Sequence, residues 1–249
     1  MSLRALHPIQ GEQGLHWRGR EVSRVESLSD IVFGFALTLL VVSATPPSDF
    51  AQLRALLWEF PGFAAAFALL LLIWNGHYLF YRRYGLQDAV TIALNATLLF
   101  SILFFIYPLK FLASMFSSWI ARLMGHEATA LSAFSAADGQ MALLWFSIGY
   151  AGLFALIAAL YLYAIGKAQA LELDARELRA AKASAAEHVS HAVIGATAAV
   201  GAATLPVGYA PFSGFIYFLV GPLIGLCHAW FGDPRRDKTN KEDARVHAD

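Results

Sequence analysis

The stretch RVESLSDIVFGFALTLLVVSA, residues 24–44, is mostly apolar from Leu28 onward, with Asp30 near its start and Arg24 just before it. Because a helix needs about 20 mostly apolar residues to cross a bilayer, this stretch predicts a membrane helix. A carboxylate within such a helix is costly and is usually paired at a functional or architectural site. A helix N-terminus near the lipid headgroups also stabilises a carboxylate, so both interpretations of Asp30 stay open.

The whole chain has the composition of a membrane protein. Of its 249 residues, 58% are hydrophobic and 14% are charged, whereas a soluble domain carries about 25% charged residues. The formal net charge is zero, so charge favours no nucleic acid partner. The single cysteine, Cys227, allows neither an intrachain disulfide nor a cysteine-based metal site. Residues 1–23 lack the apolar core of a signal peptide.

Six windows of the sequence are apolar enough to predict membrane spans, which makes the expected fold an all-α integral membrane protein. The fifth window is rich in Ala and Gly, and such a smooth helix is expected to pack against other helices rather than lipid. The six windows are Leu28–Ala44, Phe60–Tyr81, Ala89–Ala113, Met141–Ile165, His188–Val207 and Tyr209–Trp230.

The basic residues predict the orientation of these spans. Of the 18 Lys and Arg residues, only Arg54, Lys110 and Arg122 fall in or beside the loops on one side of the six-span topology. Because cytoplasmic loops carry the excess of Lys and Arg, both termini are predicted to lie in the cytoplasm. The chain then divides into a cytoplasmic segment 1–23, a six-helix domain 24–231 and a polar cytoplasmic tail 232–249.

Two segments between the spans have helical features. Ser48 is placed to cap a short helix after the first span. Residues 168–188 combine helix formers with alternating charge, which predicts a solvated helical extension of the fourth span.

A helical wheel separates the first helix into two faces, at about 100° per residue. Asp30 lies between them. One face carries Ile31, Phe35, Thr38, Leu39 and Val42, and the opposite face carries Ser29, Phe33, Ala36 and Leu40. An apolar stripe of this kind usually packs against a neighbouring helix, so the wheel alone assigns it no function.

The first helix resembles the signature of the transmembrane protein 175 potassium channel family, which is Arg, three residues, Phe-Ser-Asp and a later Thr-Leu-Leu. Here the pattern reads Arg24, Leu28-Ser29-Asp30 and Thr38-Leu39-Leu40. Residues 74–80, WNGHYLF, are similar to the family's Trp, Asn, His-His and Leu-Phe cluster, and Asn95 and Pro108 also fit. The resemblance is strong over residues 24–110, and beyond them it is limited to the overall architecture.

This resemblance implies a homotetrameric channel that conducts K⁺ in the bacterial inner or plasma membrane, with no cofactor and with membrane lipid as its surroundings. The first helix of each subunit would line the pore, with Phe35 at the constriction and Thr38, Leu39 and Val42 at neighbouring layers. A structural polar network would hold that helix in place and would consist of Arg24, Ser29, Asp30, Trp74, Asn75 and His77.

The sequence departs from the family pattern at two positions. Leu28 replaces the Phe of Phe-Ser-Asp, and Phe35 is larger than the Ile or Leu usual at the constriction. Hydrophobic constrictions gate pores by dewetting, so a ring of Phe35 side chains is expected to narrow the pore. No Thr-Val-Gly-Tyr-Gly filter is present, and selectivity from side-chain rings is expected to be modest.

Two other functions remain as alternatives. A secondary transporter or proton-permeable protein would need a charged residue at mid-membrane, and Asp30 lies too near the helix end to favour that. An intramembrane enzyme or metal protein would need convergent His and acidic side chains in mid-span, and spans three to six have almost none. His188 and His191 are spaced i, i+3 without a third ligand, and a pH-responsive pair at the membrane interface is the favoured interpretation.

Overall fold

Seven α-helices form most of the part of the chain that the computed structural model describes, namely residues 9–10, 15–19, 21–42, 47–125 and 135–231. The helices are α1 Arg24–Val42, α2 Phe50–Trp58, α3 Phe60–Tyr84, α4 Ala89–Leu123, α5 Ala136–Gly166, α6 Ala175–Thr204 and α7 Val220–Phe231. A 3-10 helix, Ala210–Leu219, leads into α7. The predicted tail 232–249 lies outside the described residues, as does most of segment 1–23.

A short hairpin precedes the helices and was not predicted. Strand β1 (Ile9–Gln10) pairs with β2 (His16–Trp17) in antiparallel fashion, with Ile9 opposite Trp17. Two residues per strand give almost no alternating pattern, so sequence periodicity carries no signal for such a hairpin.

Four segments of the described residues are long and apolar enough to cross a membrane: α3, α4, α5 and the continuous stretch Ala210–Phe231. They correspond to the second, third, fourth and sixth predicted windows. The first and fifth windows are helical, in α1 and α6, but neither qualifies by length and composition. The Ala-rich sequence of α6 and the charged first turns of α1 explain the difference.

Two helix starts differ from the prediction. The short helix α2 begins after Asp49, whose side chain accepts a hydrogen bond from the Gln52 amide, and Ser48 is not its cap. Residues 175–188 belong to α6 and do not extend the fourth span, because α5 ends at Gly166 and a capping box of Asp174 and Glu177 starts a new helix.

Close contacts between helix backbones fix the bundle. The Gly62 amide donates to Ser117 Oγ (2.7 Å), and a Cβ built at Gly62 would lie 1.9 Å from the Ala113 carbonyl oxygen. A Cβ at Gly195 of α6 would lie 2.9 Å from the Ala151 amide nitrogen of α5. The small residues of α6 therefore pack against a neighbouring helix, as their composition predicted.

Candidate functional site: the first helix and its polar network

Helix α1 has one buried and one open face within the subunit. Phe33 and Leu40 are buried against α3 and α4. On the other side, Ile31 is 66% and Phe35 is 63% exposed. These faces match the two faces of the helical wheel. The bundle thus leaves Ile31 and Phe35 of the apolar stripe exposed in the described part of the chain, on the helix that carries the motif.

The four residues predicted to line a pore occupy different parts of α1. Phe35 and Thr38 lie on the open face, and the Thr38 hydroxyl donates to the Gly34 carbonyl (2.8 Å). Leu39 is half-buried and packs at the edge of the core. Val42 is the last residue of the helix, and its side chain lies outside the described residues.

The first arm of the polar network joins Asp30 to α3. Trp74 Nε1 donates to Asp30 Oδ1 at 2.9 Å. The Trp74 ring stacks on Tyr78 one turn later, with centroids 5.4 Å apart, and the Arg82 guanidinium lies 5.5 Å from the Tyr78 ring centroid. The indole is therefore held in place by its own neighbour while its N–H points at the carboxylate of α1.

The second arm of the network is buried between α1, α3 and α4. His77 Nε2 donates to Asn95 Oδ1 (2.8 Å), and the Asn95 amide donates to Ser29 Oγ (3.1 Å). The Ser29 hydroxyl in turn donates to the Val25 carbonyl (2.8 Å). Because unpaired polar groups are costly in a buried site, these matched partners fix the register of α1 against α3 and α4.

Two predicted members stand apart from this network. Arg24 and Asn75 are exposed, and within the described residues neither forms a hydrogen bond or ion pair with the other four. Asn95, which the site prediction omitted, bridges Ser29 and His77. Its signal in the sequence was a lone amide in an otherwise apolar stretch of α4.

A third set of contacts ties the beginning of α1 to the N-terminal segment. Arg82 of α3 lies 3.8 Å from the Glu26 carboxylate of α1 and donates to the Gly19 carbonyl (2.9 Å). The Gly19 amide donates back to the Arg82 carbonyl (3.2 Å). Arg82 thus connects the chain before α1 with the first turn of α1 itself.

A buried carboxylate fastens the N-terminal hairpin to α6. Both Glu177 oxygens accept hydrogen bonds from Arg18, at 2.9 and 2.8 Å, and Oε1 also lies 3.2 Å from His16 Nδ1. Burial raises the pKa of the Glu177 carboxyl, but the hydrogen bonds from Arg18 and from backbone amides outweigh it and leave the pKa below its ordinary value.

The same region contains a cluster of His and carboxylate side chains whose ligand atoms lie close enough together to hold a metal ion. It is the one such cluster found among the described residues. His16, Asp174 and Glu177 place one ligand atom each within 4.8 Å of one another. Arg18 already holds both Glu177 oxygens, and Asp174 caps α6 through the amides of Arg176 and Glu177. A cation would have to displace the guanidinium, so these residues do not fit a metal centre.

The His188 and His191 pair lies in the interior of the bundle, in the middle of a helix rather than at its start as predicted. Their side chains are 5% and 1% exposed. The Phe154 ring stacks on His191 with centroids 4.1 Å apart, and His191 Nδ1 bonds with the Tyr150 hydroxyl. The predicted position differs because α6 begins at Ala175, 13 residues before His188.

Comparisons with known proteins agree with the motif on α1. A family model described as "Endosomal/lysosomal potassium channel TMEM175" matches residues 24–105. A curated protein from Marivirga tractuosa, named "Potassium channel", is 35% identical over 214 residues, covering 84% of this chain and 87% of that protein. A crystal structure of a variant of the potassium channel MtTMEM175, in complex with a Nanobody-MBP fusion protein, matches with a TM-score of 0.76 and 32% identity over 85% of this chain and 94% of that chain.

The apolar helices and these similarities define a multi-pass membrane protein that is not an enzyme. The chain belongs to the TMEM175 potassium channel family. The resemblance stated from the sequence is therefore confirmed, and it also reaches further than predicted, because the Marivirga protein aligns with most of the chain rather than with residues 24–110 alone.

Proposed function

We propose that the protein is a homotetrameric K⁺ channel in which the α1 helices of four subunits surround the pore. The observation that carries this proposal is the open face of α1, where Ile31 and Phe35 are exposed although the opposite face is buried and fastened. Family membership supports K⁺ as the permeant ion, and the relatives are named as potassium channels.

In this proposal Phe35 forms the constriction. Four phenyl rings at one level give an apolar neck that excludes water and hydrated ions unless it widens. Thr38 places a hydroxyl one turn further along the pore. Leu39 and Val42 line the next layers, and to do so α1 rotates slightly in the tetramer relative to its position in the isolated subunit. Because Thr38 already donates to the Gly34 carbonyl, its oxygen lone pairs remain available to a cation.

The two arms of the polar network position the Phe35 constriction. Asp30 and Ser29 sit at the start of α1, and the helix beyond them carries the open stripe. Hydrogen bonds require a defined distance and angle between donor and acceptor, whereas apolar contacts are not directional. The network therefore sets the rotation of α1 about its axis, and Arg24 and Asn75, which are exposed in the subunit, are expected to bond across the subunit boundary.

The proposed topology has six spans, with both termini in the cytoplasm of a bacterial cell. Helices α1 and α6 supply the two spans that hydropathy leaves out, since α1 lines a pore and the small residues of α6 pack closely against α5. The Lys and Arg distribution supports this orientation. Membrane lipid is the other partner, and no cofactor or nucleic acid takes part.

A liposome flux assay tests the proposal. Purified protein in liposomes is expected to dissipate a K⁺ gradient, and Phe35→Ala is expected to raise the rate because it removes the narrowest apolar layer. Phe218→Ala serves as the matched control, since Phe218 is also exposed but lies on the 3-10 helix. If neither wild type nor Phe35→Ala conducts, or if both Phe variants behave alike, the proposed pore is wrong.

A further inference from the structure

Lys110 is a charged side chain in an unusual place. It is the single charged residue of α4 between Ala89 and Ala121, in a helix otherwise apolar enough to cross a membrane. An ammonium group in such a segment is costly and marks a functional or architectural contact. The structure shows that contact: Lys110 Nζ donates to the Leu40 carbonyl of α1 at 3.3 Å, in a half-buried position.

The Leu40 carbonyl lies near the C-terminal end of α1, where a positive charge stabilises a helix. The last four carbonyls of a helix have no partner within it, and the helix dipole makes that end negative. Within the described residues, Leu40 belongs to the last turn of α1, which contains no basic residue of its own. Lys110 therefore supplies from α4 the charge that α1 lacks.

Lys110 contacts α1 on the side of the helix opposite the open face. Leu40 is 6% exposed and belongs to the buried face, opposite Phe35 and Thr38. The ammonium group is therefore separated from the open stripe by the body of the helix. A residue in this position influences where the helix stands, and it does not touch an ion on the other side.

We propose that Lys110 is a positioning residue that anchors the C-terminal end of α1, as Trp74 anchors its start through Asp30. The α1 helix is then held at both ends, with the open stripe between the two anchors. This inference rests on the proposed function insofar as the position of α1 determines conduction. The anchor itself is a property of the subunit.

The test measures the position of the α1 end directly. Spin labels at Val41→Cys on α1 and Tyr107→Cys on α4, in a Cys227→Ser background, report one distance when labelled subunits are diluted with unlabelled ones. Both positions are exposed. Lys110→Met is expected to widen the distance distribution, with the displaced population rising about fivefold. Lys110→Arg, which keeps the charge and the donor, is expected to restore the wild-type width.

Arg122→Gln is the matched control, because it removes a positive charge from an exposed position on the same helix. It should leave the distance unchanged. The proposal is overturned if Lys110→Met keeps the wild-type distribution or if Arg122→Gln widens it equally. If Lys110→Met does not fold, Lys110→Gln replaces it, and an unchanged distribution there has the same meaning.

Flux through the same proteins separates this inference from the proposed function. If wild type conducts, the K⁺ flux rate of Lys110→Met should differ from that of wild type, and the rate of Lys110→Arg should equal it. If wild type does not conduct, the proposed pore fails, and the distance measurement still decides whether Lys110 holds α1.

Discussion

Replacing Trp74 by Phe removes the indole donor to Asp30 while keeping a ring that can stack on Tyr78. The lost bond is 2.9 Å long, has a carboxylate acceptor and is exposed to solvent. A solvent-screened hydrogen bond of this kind contributes about 0.5–1.5 kcal/mol. Since each 1.4 kcal/mol is about a tenfold change in an equilibrium constant, the ratio of docked to displaced α1 should fall by a factor of about 2 to 10.

The measurement is K⁺ flux from liposomes, combined with a double-mutant cycle. Trp74→Phe and Asp30→Asn are each expected to lower flux, and the double variant should be little worse than either, because both remove the same interaction. Trp145→Phe is the control, since Trp145 is an exposed tryptophan on α5. Additive effects in the cycle, or a Trp74→Phe flux equal to wild type, would refute the assignment of this bond as the anchor of α1.

Two further predictions concern stability in detergent, measured by thermal unfolding. Partial burial raises the pKa of Asp88, but hydrogen bonds from Lys167 (2.6 Å), Thr91 and Tyr163 together outweigh it and hold the pKa below the ordinary 3.8. The stabilisation is therefore complete above about pH 4 and is lost at lower pH as Asp88 is protonated, so Asp88→Asn should lose less stability on acidification than wild type. Gly62→Ala should cost about 1–3 kcal/mol, because its Cβ would meet the Ala113 carbonyl at 1.9 Å. Gly152→Ala, which meets nothing within 4 Å, should be tolerated, and equal melting temperatures for the two Gly variants would contradict this packing.

The faces of α1 were predictable from sequence because a regular helix repeats its environment every 3.6 residues or so. Phe33 and Phe35 differ by two positions, so one is buried and the other exposed, and no knowledge of the partners was needed. The expectation that Asp30 and Trp74 belong to one polar network came from the family resemblance rather than from periodicity.

The parts that sequence did not predict depend on which helices meet. Asn95 gained its role only because α4 lies beside both α1 and α3. His188 lies in the middle of α6 rather than at its start because a capping box at Asp174 begins the helix well before the apolar residues. The Arg18 contact with Glu177 joins residues 159 positions apart, and no local pattern reports a pairing at that separation.

The 3-10 helix before α7 has a consequence for how the last segment sits in lipid. Side chains three residues apart eclipse in this geometry, so Tyr209, Phe212, Phe215 and Phe218 form one row of exposed rings with centroids 5.9 to 6.3 Å apart. The larger rise also makes the 22-residue segment Ala210–Phe231 about 5 Å longer than an α-helix of equal residue count. Its hydrophobic length is thus set by helix type as well as by sequence, and a return to α-helical winding would shorten it and turn the aromatic row around the axis, fitting the same residues to a thinner bilayer.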